Sequence, residues 1–197
     1  RSFYHLNLTS FFKVKKKSKF SKARLGLINT AHGKINTPSF IFCGTKATVK
    51  SVLPSQLKQA RTQIILSNTY HLMLQPGPEI ISKEGGLQNF TDWNGPMMTD
   101  SGGYQIFSLG YGSVSEEIKG KNNNTKRKSL IKINEDGASF RNYLNGDKVF
   151  LSPERSIELQ RDFGADLIFV LDECTPFNVS KKYTEKSMYM SHRWAAR

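Results

Sequence analysis

The chain has 197 residues, 38% of them hydrophobic and 23% charged, a globular balance that suits one sizeable core or part of a larger domain. No apolar run reaches the ~18 residues of a membrane span, and the start RSFYHLNLTSFFKVKKK lacks the continuous apolar stretch of a signal peptide, so the cytoplasm is the expected location. The net charge is +13, and thirteen Lys or Arg precede the first acidic residue, Glu79. Such a field attracts polyanions, nucleic acid above all, whereas a lysine-biased genome would add Lys everywhere.

Residues 1–36 read as short antiparallel strands, FYHLNL, FFKVK and ARLGLINT, with the His32-Gly33 turn leading into INTPSFIFCG. KVKKKSK is either a strand edge guarded by lysines or a patch that meets phosphate. From Thr37 onward apolar runs alternate with helical ones. PSFIFCG is a strand, VLPSQLKQA a helix opened near Pro54, and QIILSNTYHL the next strand. PGPEIISKEGGL is a short helix stopped by Gly85-Gly86, and PMMTDSGG is a third strand.

The pattern is interrupted at about 108–150. SVSEEIKGKNNNTKRKS predicts an exposed polar loop, and the turn signals Glu135-Asp136-Gly137 and Asn145-Gly146-Asp147 predict a β-hairpin or small meander. SPERSIELQRDFG then reads as a helix with Ser152 as N-cap, Pro153 at the first position and Gly164 just past the end. ADLIFVLDE predicts a fourth, buried strand, and KKYTEKSMYMSHRWAAR a closing amphipathic helix. Four strands alternating with helices predict a parallel α/β arrangement, either a barrel or a doubly wound sheet.

Cys43 and Cys174 have no paired spacing, and His5, His32, His71 and His192 are scattered, so the cysteines are expected as reduced thiols and no metal site is expected from this chain. Two acidic strand ends carry the chemistry instead. Asp100 follows PMMT and precedes Ser101-Gly102-Gly103, a turn whose glycines let backbone N–H groups approach a ligand; alternatively Asp100 caps its own turn. Asp172 follows LIFVL, and either it or Glu173 needs a partner that a base with ring N–H donors, or an arginine such as Arg141 or Arg193, would supply. In a parallel barrel both carboxylates would open on one face. A carboxylate pair suits the cleavage of a bond to sugar C1, in a glycoside or in a nucleoside. Tyr104 favours a flat ligand on which to stack, and Asn68, at the end of the second strand, either orients an acid or a ribose hydroxyl or belongs to a packed turn.

The blocks TPSFIFCGTKATVKSVLP, LSNTYHLMLQPG, TDWNGPMMTDSGGYQIFSL, GDKVFLSPERSIELQ and GADLIFVLDECTP, in this order from about Leu25 to Arg197, resemble the tRNA-guanine transglycosylase family in its bacterial, queuine-pathway form. The resemblance implies the N-terminal half of a modified (β/α)8 barrel: residues 1–36 as a small antiparallel sheet and 37–197 as the first four β/α units. It implies a cytoplasmic transferase, a homodimer when full length, that exchanges guanine at the tRNA wobble position for a 7-deazaguanine, preQ1 or queuine, through a covalent intermediate.

By position, Asp100 matches the family's acid/base aspartate, and Ser101, Gly102, Gly103 and Tyr104 match the loop lining the base pocket. Asp172 matches the aspartate that reads the base's N–H edge, with Cys174 beside it. The nucleophilic aspartate, a Cys3His zinc site and the glycine and glutamine that complete the pocket are expected outside these 197 residues, so the chain alone is expected to be an inactive fragment. A non-catalytic RNA-binding relative or accessory subunit is the competing expectation, and a glycoside hydrolase barrel the third.

Overall fold

The computed structural model describes residues 10–111 and 132–197; the strand expected over FYHLNL and most of the polar Asn/Lys-rich stretch lie outside the described residues. β1 (Phe12–Lys17), β2 (Arg24–Thr30) and β3 (Gly33–Thr37) form an antiparallel sheet in that order. Phe12, Ile28 and Ile35 pair across it and so share one face, on which Ile35 is buried.

β4 (Phe42–Cys43), β5 (Ile65–Ser67) and β6 (Met97–Thr99) form a parallel sheet, with α1 (Pro54–Gln59) after β4 and α2 (Thr69–Leu74), α3 (Pro78–Lys83) and α4 (Leu87–Phe90) between β5 and β6. α5 (Gly103–Tyr111) follows β6. The antiparallel sheet sits across the starts of these strands. His32 N–H and Nδ1 lie 3.2 and 2.9 Å from Asp166 Oδ1, and Asp166 Oδ2 accepts from the N–H of Met97, the first residue of β6. Asn36 N–H donates to Gln63 Oε1 just ahead of β5.

QIILSNTYHL, expected as one strand, divides into β5 and α2. Asn68 is the N-cap of α2 but makes no side-chain cap bond. The Asp100 carboxylate, distant in sequence, accepts from Thr69 N–H instead and supplies the missing acceptor.

β7 (Lys132–Asn134), β8 (Gly137–Arg141) and β9 (Lys148–Leu151) make an antiparallel meander folded at the two expected turns. α6 (Pro153–Asp162) follows, its N-cap Ser152 Oγ accepting from Arg155 N–H at 3.1 Å, and Gly164 adopts φ +74° just past its end. α7 (Lys181–Ala196) closes the chain. Tyr70, Leu72, Ile81 and Leu87 from α2–α4 meet Met97 of β6, Phe140 of β8, Leu151 of β9 and Leu159 of α6 in one core. Burying one such large side chain is worth about 1.5–3 kcal/mol.

The fourth buried strand is not what forms. Leu167 alone makes a parallel bridge, to Met98, and Ile168, Phe169 and Val170 stay 44%, 50% and 47% exposed. An apolar run states what a segment can bury, and burial requires a neighbour on each face. Here the side chain of Gln160, itself buried, takes both backbone groups of Phe169.

Candidate active site

β6 ends at Thr99 and delivers Asp100 half-buried beyond it. Three donors hold its carboxylate: Thr69 N–H at 2.8 Å on Oδ1, and Asn68 Nδ2 at 2.5 Å and Gln105 Nε2 at 2.8 Å on Oδ2. Thr69 Oγ1 also donates to the Asp100 carbonyl at 2.6 Å. The acid is therefore fixed from the ends of two adjacent strands and from the first turn of α5.

Ser101 joins the second acid to the first. Its buried Oγ donates to Asp172 Oδ1 at 3.1 Å and accepts from Gly103 N–H at 3.2 Å, while its carbonyl accepts from Ser156 Oγ of α6. Asp172 is exposed. Glu173 turns away, its carboxylate accepting from Tyr183 O–H of α7 at 2.5 Å. The two arginines that offered Asp172 an ion pair go elsewhere, Arg193 to Glu135 and Arg141 to the Gly146 carbonyl.

The two glycines have separate reasons. Gly102 has φ +86°, a left-handed conformation that favours glycine. Gly103 is set by space, since a Cβ there would sit 2.5 Å from the Asp172 carbonyl oxygen. Tyr104, on the first turn of α5, is 52% exposed. Cys174 is half-buried and shares a small recess with Gly103, Ile106, Leu171 and Asp172. The structure thus brings Asn68, Asp100, Ser101, Gly102, Gly103 and Asp172 to one place, with Tyr104 and Cys174 adjoining.

Sequence reasoning missed Thr69 and Gln105, both bound to Asp100, and the group beside them. His71 Nδ1 lies 3.2 Å from Tyr143 O–H, the Tyr143 ring lies parallel to Tyr70 at 6.0 Å, and Lys46 Nζ is 5.7 Å from the Tyr143 ring centre. Burial and then Lys46 hold the His71 imidazole below its ordinary pKa, with Asp100 pulling the other way. Burial, helped by Tyr143, pushes Tyr70 up to about 12, so it stays a neutral phenol. Asn68-Thr69-Tyr70-His71 was legible only as the tail of the QIILSNTYHL run, and the positions of Gln105 and Tyr143 relative to it were not legible at all.

The sequence model of the queuine tRNA-ribosyltransferase family matches residues 18–197. The chain belongs to this family. It is 44% identical over 191 residues to the queuine tRNA-ribosyltransferase of Roseiflexus sp. (strain RS-1), which covers 96% of this chain and 48% of that protein. It is 44% identical over 186 residues to that of Protochlamydia amoebophila (strain UWE25), covering 94% and 48%. To the Staphylococcus aureus (strain N315) protein it is 46% identical over 182 residues, covering 92% and 43%. The chain thus spans about half the length of the curated relatives it matches. Every residue placed around Asp100 and Asp172 lies within the part that the queuine tRNA-ribosyltransferase model covers. Among the described residues no three His, Cys, Asp or Glu converge as a metal site. No helix of the described residues is long and apolar enough to cross a membrane.

Proposed function

We propose that this chain is the N-terminal half of a modified (β/α)8 barrel, with β4, β5, β6 and the segment after α6 as its first four strands. The intact protein is in this reading a cytoplasmic, homodimeric glycosyltransferase that replaces guanine at the tRNA wobble position with a 7-deazaguanine, preQ1 or queuine. The observation that carries the reading is the Ser101 bridge from the end of β6 to Asp172, which puts two carboxylates at neighbouring segment ends in a chain of this family. In such barrels catalytic groups gather at the carboxyl ends of the strands.

Base exchange breaks the bond between ribose C1′ and the guanine nitrogen and forms the same bond to the incoming base. One proton must reach the departing base and one must leave the arriving base. Asp100 is the group for that proton: it is half-buried and held on both oxygens by Asn68, Thr69 and Gln105. Asp172 accepts from the N–H edge of the base, oriented by Ser101, and the exposed Tyr104 ring stacks on its face. The covalent nucleophile is not assigned to these residues.

The test is incorporation of labelled guanine into tRNA by the intact protein, run beside simple glycosides. Guanine incorporation without sugar release is expected. Glycoside hydrolysis without incorporation contradicts the reading. One observation favours the second reading, a non-catalytic RNA-binding relative: Asp100 also caps α2 through Thr69, a purely structural task. In that case the wild-type protein binds tRNA and incorporates nothing.

A further inference from the structure

The lysines of the N-terminal sheet are untouched by the chemistry above, and the strand register sorts them. Lys13 pairs with Leu27 and Lys16 with Leu25, so both share the face of those two leucines. The register shifts between Val14 and Lys16, a bulge that brings Lys15 to the same side, where its Nζ donates to Asn36 Oδ1 at 3.2 Å; Asn36 itself pairs with Leu27. Lys34 pairs with Asn29, again on that face. All four lysines are exposed, and the opposite face carries the buried Ile35.

None of the four is in an ion pair among the described residues, whereas Arg155, Arg193 and Arg197 each meet a glutamate. Edge protection explains a lysine on β1 or on β3, the two edge strands of the sheet, but it does not require Lys13, Lys15, Lys16 and Lys34 to share one face. It also leaves Phe11 and Phe20 unexplained, 55% and 98% exposed beside the lysines and at the β1–β2 turn. Cations on one face with unburied aromatic rings at its border match the chemistry of a nucleic-acid backbone with unpaired bases.

We propose that this face binds the phosphate backbone of RNA, at a place separate from the base pocket. The separation follows from the fold. His32, in the turn before β3, meets Asp166, which accepts from the first residue of β6, and Asn36 of β3 meets Gln63 just ahead of β5, while Asp100 follows the far end of β6, three residues or about 10 Å along the strand. The phosphates held here therefore belong to nucleotides other than the one whose base is exchanged. The choice of RNA over other polyanions rests on the proposed function.

The test uses the intact protein with Lys13, Lys15, Lys16 and Lys34 all changed to Gln, measuring tRNA affinity across a salt series. Each lost phosphate contact removes about 0.7–0.9 from the slope of log K against log salt, so a slope shallower by about 3 and an affinity at least ~10-fold weaker at moderate salt are expected. kcat at saturating tRNA should be unchanged, with KM raised, and the matching Lys→Arg set should behave as wild type. If the fourfold variant fails to fold, K13Q and K34Q measured singly should each lower the slope by about 1.

An unchanged slope and affinity would overturn the proposal. So would intact tRNA binding with lost binding to phosphatidylserine vesicles, which would assign the face to membrane. A wild-type protein that exchanges guanine, with a variant of unaltered KM, sinks this inference alone. A wild type that exchanges nothing, yet loses salt-dependent RNA binding in the variant, sinks the proposed function alone.

Discussion

Gln160 Oε1 accepts from Phe169 N–H at 3.0 Å while its Nε2 donates to the Phe169 carbonyl at 2.7 Å, so one side chain closes both backbone groups of a residue in the segment that leads to Asp172. Gln160 Oε1 also accepts from the buried Thr99 hydroxyl, at the end of β6. The carboxamide is thereby a tie between the two segments that present the acids.

Gln160→Leu keeps the volume and removes that tie. It leaves the Thr99 hydroxyl unpaired in the core and Phe169 with only water, and should cost about 2–4 kcal/mol in denaturant unfolding. The KM for the incoming base should rise as well, because the segment leading to Asp172 loses its tie to the end of β6. A loss below about 0.5 kcal/mol, the range of an unremarkable surface change, would show that the tie is idle.

Gly103→Ala tests the close approach of α5 to Asp172. Its Cβ would meet the Asp172 carbonyl, a backbone atom that cannot rotate away, and overpacking of this kind costs about 1–3 kcal/mol. Gly146→Ala is the comparison, since Gly146 has φ +81° and nothing near its absent Cβ. Thermal unfolding should move in both variants, base affinity only in Gly103→Ala. Equal base affinity in the two would separate Gly103 from the pocket.

His71 gives the pH dependence its sign. Its folded pKa lies below the ordinary value of 6.5, through burial first and Lys46 second. The unfolded chain therefore takes up the proton first on acidification. The stability contributed by neutral His71 is complete above about pH 6.5 and is lost as pH falls below it. His71→Gln should flatten unfolding free energy between about pH 7 and pH 5. Asp100→Asn removes the charge that raises this pKa, so the imidazole NMR titration should move to still lower pH; movement upward would contradict the electrostatic contact between the two residues.

What was legible in the sequence was local. Ser152, Pro153 and Gly164 define a helix because cap, first turn and stop each act within a few residues of chain. The turns at Gly137 and Gly146 are of the same kind. Asp100 and Asp172 were legible because an acid after an apolar run has few reasons to be there. The end of β5 was not legible, since α2 begins where a carboxylate from another strand accepts Thr69 N–H. Nor was the exposure of Ile168, Phe169 and Val170, which depends on what packs against them rather than on what they are. Gln105 and Gln160 escaped notice because an amide side chain acquires meaning only from the groups brought to it.

The central claim is that Asp100 moves the proton in base exchange. Asp100→Asn keeps the shape and an acceptor for Thr69 N–H but abolishes proton transfer, and general acid–base catalysis is worth about 10²–10⁴-fold in rate. Single-turnover incorporation of labelled guanine into tRNA by the intact protein, with tRNA affinity measured on the same sample, is the direct test. A loss of at least ~100-fold with tRNA affinity unchanged is predicted; wild-type incorporation by the Asn variant would contradict it.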